Sequence, residues 1–175
     1  RLASKKVLVH DMKCIETLAR VNVLCVDKTG TITENTMEVN GEIPMDGYDS
    51  QSMAPLKQII SDFASAMSSD NITMKAMKDY FNKPSGRKAV SVSPFSSQFK
   101  YSGAAFEDGS YVLGAPEFVL REDYDNYREQ IEQYSSEGYR VIVFGIYDGV
   151  IDGKALTGKV TPLGLVFLSN PIRKE

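Results

Sequence analysis

Val26-Asp27-Lys28-Thr29-Gly30-Thr31-Ile32-Thr33 is the stretch on which the reading of this 175-residue chain turns. It closes Val21–Val26, an apolar run of strand length broken only by Asn22, so Asp27 is predicted at the C-terminal end of a buried strand. Open α/β sheets place their ligands at that end. Gly30 permits a tight turn, and the threonine hydroxyls and loop N–H groups can hold phosphate oxygens. A carboxylate there can attack a phosphoryl group and form an aspartyl phosphate, with Mg²⁺ offsetting the charge where carboxylate and phosphate meet. An Asp that merely opens a turn after a strand is the plainer alternative, and it would suffice for a bare Asp-x-x-Gly. The seven specified residues from Asp27 to Thr33 favour the chemical reading.

Composition sets the frame around this motif. The chain is 42% hydrophobic and 25% charged with a formal net charge of −3, which fits a folded domain and not a disordered one. Its length allows one domain or one and part of another. No apolar run approaches the ~18 residues of a membrane span. A sequence pI of 5.3 argues against a nucleic-acid partner. The two cysteines, Cys14 and Cys25, lack the spacing of a zinc site and are expected as small core residues. The single histidine, His10, is expected to be structural. The start at Arg1 and the end at Glu175 suggest a segment of a longer protein.

Working outward, Val7–Val9 reads as a short strand and Ile15–Ala19 as one or two helical turns. Asn40 to Ala54 is polar and rich in turn residues. Leu56, Ile59, Ile60, Phe63 and Met67 have helical spacing, and a second helix is expected over Thr73–Phe81, capped by Thr73 or Asn71. Ala89–Phe106 alternates imperfectly, Asp108-Gly109 marks a hairpin, and Tyr111–Leu113 returns. Pro116 opens a short helix. Tyr124, Tyr127, Ile131 and Tyr134 share one helical face that ends near Gly138. Tyr139–Tyr147 and Leu163–Leu168 read as strands. The fold class is therefore α/β, with an antiparallel α+β insertion: a sheet flanked by helices.

The motif resembles the phosphorylation signature of the P-type ATPases, the ion pumps that pass through an aspartyl phosphate. That resemblance implies that Asp27 is phosphorylated, that Lys28, Thr29 and Thr31 line the phosphate, and that Asp27 and the Thr29 backbone coordinate Mg²⁺. It also implies a Rossmann-like phosphorylation domain of the haloacid-dehalogenase type. Phosphatases of that superfamily carry a second Asp two residues after the nucleophile; Thr29 stands there, and a Thr cannot do that proton transfer at neutral pH. Cys14-Ile15-Glu16-Thr17-Leu18 resembles the pumps' connection from the membrane, nearest the branch that moves Ca²⁺ and related ions.

Phe95-Ser96-Ser97-Gln98-Phe99-Lys100 is similar to the family's F-S-x-x-x-K segment, which implies that Phe95 stacks on adenine and that Lys100 reaches the nucleotide. Gly114-Ala115-Pro116-Glu117 resembles K-G-A-P-E, with Leu113 in place of the Lys. Gly114 and Ala115 thereby join the nucleotide pocket. Gly138-Tyr139-Arg140 resembles G-x-R, which implies that Arg140 contacts ATP phosphates. Two further departures stand out. Met74 lies where an acidic residue would serve adenine, and Asn170-Pro171-Ile172-Arg173 carries Asn for the Asp of D-P-x-R.

The expected organisation is a nucleotide-binding domain over 37–159, flanked by phosphorylation-domain pieces at 1–36 and 160–175. The ligands are ATP and Mg²⁺. The partners are the remaining phosphorylation, actuator and membrane domains of the same protein, with no nucleic acid and no direct membrane insertion of this segment. The place is the cytoplasmic side of a plasma membrane, the organism bacterial, and the favoured ion Ca²⁺. Alternatives are a phosphatase or phosphotransferase of the dehalogenase class, or a nucleotide sensor that never phosphorylates. Gly153–Lys159 spells G-x-x-x-x-G-K, but Val160 stands at the Ser/Thr position, and the segment reads as a flexible crossing between domains. The chain alone is expected to bind ATP without turning it over; Mg²⁺-dependent phosphate release by the purified chain would contradict this.

Overall fold

The computed structural model describes residues 7–172. Six strands form one antiparallel sheet: β1 (Glu38–Pro44), β2 (Ser91–Ser93), β3 (Tyr101–Phe106), β4 (Gly109–Gly114), β5 (Arg140–Tyr147) and β6 (Val160–Ser169), in the order β1-β6-β5-β4-β3-β2. Helices α2 (Leu56–Ala66) and α3 (Ile72–Tyr80) belong to one core, and α4 (Pro116–Leu120) and α5 (Tyr124–Ser136) to the other. A short helix α1 (Lys13–Leu18) precedes the sheet. This is the expected antiparallel sheet flanked by helices.

The two cores explain why β5 and β6 read as unbroken apolar runs. Ile142, Phe144, Val166 and Leu168 pack with α2 and α3, while Val141, Val143, Leu165 and Phe167 pack with α4 and α5. Successive strand residues point to opposite faces, so a sheet covered on both sides needs apolar residues at every position. Phe144 sits edge-on to Phe63 of α2 with centroids 5.3 Å apart, and Tyr134 of α5 stacks on Phe167 at 4.1 Å. Helix α3 starts where Asn71 accepts a hydrogen bond from the Met74 N–H at 2.8 Å, so Asn71 and not Thr73 is the cap.

Several expectations need correction. Val7–Val9 and Val21–Val26 form no strand. Val23 is 77% exposed, and Cys14 and Cys25 are exposed instead of packed. An apolar run becomes a strand only against a neighbour that satisfies its N–H and C=O groups, and the described residues offer 21–26 none. Asn40–Pro44, expected as loop, lies in edge strand β1, which pairs with β6 through a bulge between Val39 and Gly41. Val160–Ser169, at the start of the expected C-terminal piece, is an inner strand, with β1 on one side and β5 on the other. Gly153–Lys159 is therefore part of the β5–β6 connection and not a crossing between domains. Arg173 lies outside the described residues.

One buried charge ties the β1-to-β2 excursion to the sheet. Asp62 of α2 is 2% exposed. It accepts hydrogen bonds from the Ser85 N–H at 2.6 Å, the Ser85 hydroxyl and Arg87 Nε at 3.0 Å. The Arg87 guanidinium lies 4.8 Å over the Phe106 ring and pairs with Asp108 in the β3–β4 turn. Asp62→Ala strands the Ser85 N–H and one end of Arg87, and a loss of about 1–3 kcal/mol is expected. Asp62→Asn, which keeps an acceptor, should lose less. Denaturant titration of both variants checks the order.

Candidate nucleotide cleft and phosphorylation loop

A cleft of ≈ 840 Å³ opens over one end of the sheet, within the size range of small-molecule sites. Phe95, Lys100, Gly114, Ala115 and Arg140 all line it, although they come from three separate stretches of the chain. Lys28 reaches it as well. Its cationic side chains are Lys28, Lys100 and Arg140, against one carboxylate, Glu117. That balance favours an anionic ligand. Apolar lining comes from Met37, Met74, Leu113 and Phe95, the last 48% exposed and so presenting a ring face to the opening.

The two sequence motifs are one structural unit. The Lys100 carbonyl accepts the Ala115 N–H at 3.0 Å, and a Cβ on Gly114 would lie 2.3 Å from that same oxygen. Gly114 is therefore required by close backbone approach. Lys100 itself takes φ 58°, in the left-handed region that a side chain disfavours. Its own N–H donates to the Ser96 carbonyl at 2.7 Å, and Ser96 Oγ accepts the Phe99 N–H at 3.1 Å. These bonds hold a strained loop that carries Phe95 at one end and Lys100 at the other.

Asp27 leads into a single π-type turn, Lys28–Ile32, and Gly30 at φ 77° makes the bend. Thr33 organises it. Its side chain is buried, accepts the Gly30 N–H at 3.2 Å and donates to the Lys28 carbonyl at 3.3 Å. Asp27 and Thr31 are exposed and do not line the cleft. The structure therefore brings five predicted nucleotide residues together with Lys28, and leaves Asp27 on the adjoining turn. For Mg²⁺, the Asp27 carboxylate and the Thr29 carbonyl are hard oxygen donors of the kind it takes. They would fill two of six positions, and no cluster of three or more acidic, His or Cys side chains occurs among the described residues. The set fits a metal whose other ligands are phosphate and water.

Residues that sequence reasoning did not assign to the site also line the cleft, including Met37, Asn71, Ser135 and Asn170. In the sequence, Asn71 signals only a helix cap and Asn170 only a departure from a motif; Met37 and Ser135 carry no signal. The P-loop-like segment is closed to phosphate. The Thr157 and Gly158 N–H groups donate to the Tyr147 hydroxyl at 3.0 and 3.2 Å, and the Lys159 N–H to Asp148 at 2.6 Å.

The segment from the turn into β1 and the segment leaving β6 run side by side and are zipped together. Thr33 bridges Ile172, the Glu34 N–H donates to the Pro171 carbonyl at 2.8 Å, and Asn170 Nδ2 donates to the Thr36 carbonyl at 2.7 Å. The last bond requires an amide, because an ionised carboxylate has no proton to give.

Comparison with known proteins bears on the family and the fold. No family model matches the chain. It is 35% identical over its whole length to the calcium-transporting ATPase CtpE of Mycolicibacterium smegmatis. It is 33% identical over 99% of its length to the probable cation-transporting ATPase exp7 of Streptococcus pneumoniae. The chain belongs to the P-type cation-transporting ATPases. It spans only 21% and 22% of those two relatives. Among solved structures, a zinc-transporting PIB-type ATPase in an E2.Pi state matches 91% of the chain and 23% of its own, with a TM-score of 0.61 at 18% identity. The catalytic CPx-ATPase domain CopB-B matches 99% of the chain and 52% of its own, with a TM-score of 0.52 at 16% identity. At those identities the likeness is one of fold. Among the described residues no helix is long and apolar enough to cross a membrane.

The connector zipper yields a local test. Asn170→Asp replaces a donor by an acceptor facing the Thr36 carbonyl. Amide hydrogen exchange at Glu34, measured by NMR, should speed up by at least about tenfold, the equivalent of ~1.4 kcal/mol, while the amides of β5 and β6 keep their protection.

Proposed function

We propose that this chain is the ATP-binding segment of a cation pump, in which the cleft holds ATP and Asp27 receives its γ-phosphoryl group. The observation that carries the reading is the convergence of Phe95, Lys100, Gly114, Ala115 and Arg140 on one cleft with Lys28 at its border. The sheet with its four covering helices, residues 37–169, would be the nucleotide-binding domain. Residues 1–36 and 170–175 would belong to the phosphorylation domain, completed by other parts of the protein, with actuator and membrane domains beyond.

Each residue has a physical task in this reading. The Phe95 ring offers an apolar face to the adenine. Lys100 and Arg140 offset phosphate charge, Arg140 with a planar fork that can grip two oxygens. Gly114, lacking a side chain, leaves the backbone open beside the ligand. Lys28 follows Asp27 directly and reaches the cleft, so its cation neutralises phosphate charge between the two sites. Asp27 Oδ attacks the γ-phosphorus in line, the bond to the β-phosphate oxygen breaks, and ADP leaves with that oxygen. Mg²⁺, where bound by Asp27 and the Thr29 carbonyl, would supply charge neutralisation. With Thr29 where a dehalogenase-type phosphatase has its second Asp, no side chain at that position takes the proton of a hydrolytic water, which favours a persistent phosphoenzyme. The relative named a calcium-transporting ATPase makes Ca²⁺ the favoured cargo, and a domain on the cytoplasmic side of the membrane goes with the cation-pump reading.

Two measurements test this. Calorimetric titration of the chain with ATP should saturate, and Phe95→Ala should weaken it by the ~1–3 kcal/mol of a lost base stack. Failure of the wild-type chain to bind ATP at millimolar concentration would remove the cleft assignment. In the whole protein, acid-stable ³²P incorporation from [γ-³²P]ATP should appear and should vanish in Asp27→Asn; labelling that survives the substitution would remove Asp27.

A further inference from the structure

Met37 sits where the incoming connector becomes β1, lines the cleft and is only 9% exposed. Its main chain is fixed on both sides. The Thr36 carbonyl accepts from Asn170, and Glu38 is paired with Ser169 of β6. Two donors point at the Met37 sulfur: the Thr73 hydroxyl of α3 at 3.6 Å and the Arg140 guanidinium of β5 at 4.0 Å. Among the described residues, Arg140 makes no ion pair.

We propose that Met37 is a positioning residue for Arg140, holding the guanidinium in the cleft without neutralising it. This rests on the reading of the cleft as the ATP site. A thioether is a weak, uncharged acceptor. It can restrict an arginine's rotamers while leaving the full positive charge for phosphate, whereas a carboxylate in the same place would cancel that charge. Pre-ordering a flexible cation removes part of the entropy lost on binding a polyanion. The prediction is specific to the phosphate end of the ligand.

The test titrates ATP and adenosine into the wild-type chain, Met37→Leu, Arg140→Gln and the double variant. Leucine nearly conserves volume but cannot accept a hydrogen bond. Met37→Leu should weaken ATP by about threefold to tenfold, the worth of a modest polar contact, and weaken adenosine less. In the Arg140→Gln background it should cost ATP binding nothing further. Equal losses for ATP and adenosine, or additive losses in the double variant, overturn the proposal and leave Met37 a packing residue. A second readout is independent of ATP and of any folding defect in Met37→Leu. The ¹³C resonance of the Met37 methyl should move in Arg140→Gln and, in the wild-type chain, on addition of tripolyphosphate. A methyl that ignores Arg140→Gln overturns the proposal. If the wild type binds no ATP, the nucleotide reading fails on its own, and the methyl response to Arg140→Gln still decides whether the sulfur holds the arginine.

Discussion

Strand β6 is paired along both edges and buried on both faces, and most of what matters here hangs from its two ends. Residues 165–168 alternate between the two cores, so no single substitution there can be absorbed by solvent. Its far end is shaped by Pro162 at an irregularity in the pairing with β5, where Gly145 opposes Pro162 while the neighbouring Phe144 opposes Gly164. A proline inside a sheet is tolerated at such a bulge. Gly47 donates its N–H to the Pro162 carbonyl at 3.1 Å, and its lack of a side chain allows that approach. The near end delivers Leu168, Ser169 and Asn170 into the cleft lining, then Pro171 and Ile172 into the connector zipper. One strand thus supplies the core, the back of the cleft and half of the link to the phosphorylation loop.

Legibility in the sequence followed how local each signal was. The loop after Asp27, the caps of α3 and α5, the Asp108-Gly109 hairpin and the amphipathic faces of α2 and α5 depend on residues a few positions apart, and they were readable. Strand β1 was not. It is an edge strand containing Gly41 and ending in Pro44, with a bulge after Val39, so its alternation is broken where periodicity would be sought. The apolar run that marks β6 in the sequence is Leu163–Leu168, while the strand itself begins at Val160, its first residues paired with β5 beyond the bulge. The opposite error occurred at Val21–Val26, where apolar content announced a buried strand but nothing among the described residues pairs with it. Hydrophobicity says that a segment wants cover and not which segment gives it.

The site shows the same division. Phe95, Lys100, Gly114 and Arg140 could be named from short motifs, but the bond from the Ala115 N–H to the Lys100 carbonyl spans 15 positions and appears only in the fold. It explains two residues at once. Gly114 must be glycine because that carbonyl is in the way of a side chain, and Lys100 accepts a strained backbone because its carbonyl is needed there. Met37 and Asn170 were invisible for a different reason. Their contribution lies in a sulfur and an amide meeting distant groups, and neither residue type announces such a role.

The departures from the family pattern are best understood through what each substituted group can and cannot do. Leu113 is buried in β4 beneath the cleft, so a lysine there would have had to reach out to place its charge; the leucine instead adds to a core that already holds Phe144 and Met74. Met74 likewise belongs to that core, and its N–H is spent on capping α3. Both residues add apolar lining to the cleft, whose cationic side chains are Lys28, Lys100 and Arg140. Asn170 moves in the other direction. An aspartate facing the Thr36 carbonyl would repel it, whereas the amide donates to it and draws the two connectors together. In the proposed ATP reading, charge is withdrawn from the base end of the cleft and from the connector at Asn170, and kept at Lys28, Lys100 and Arg140. If the cleft takes ATP as proposed, its three cations favour recognition through the phosphates, and the two connectors beside it are held by a neutral hydrogen bond that salt does not screen.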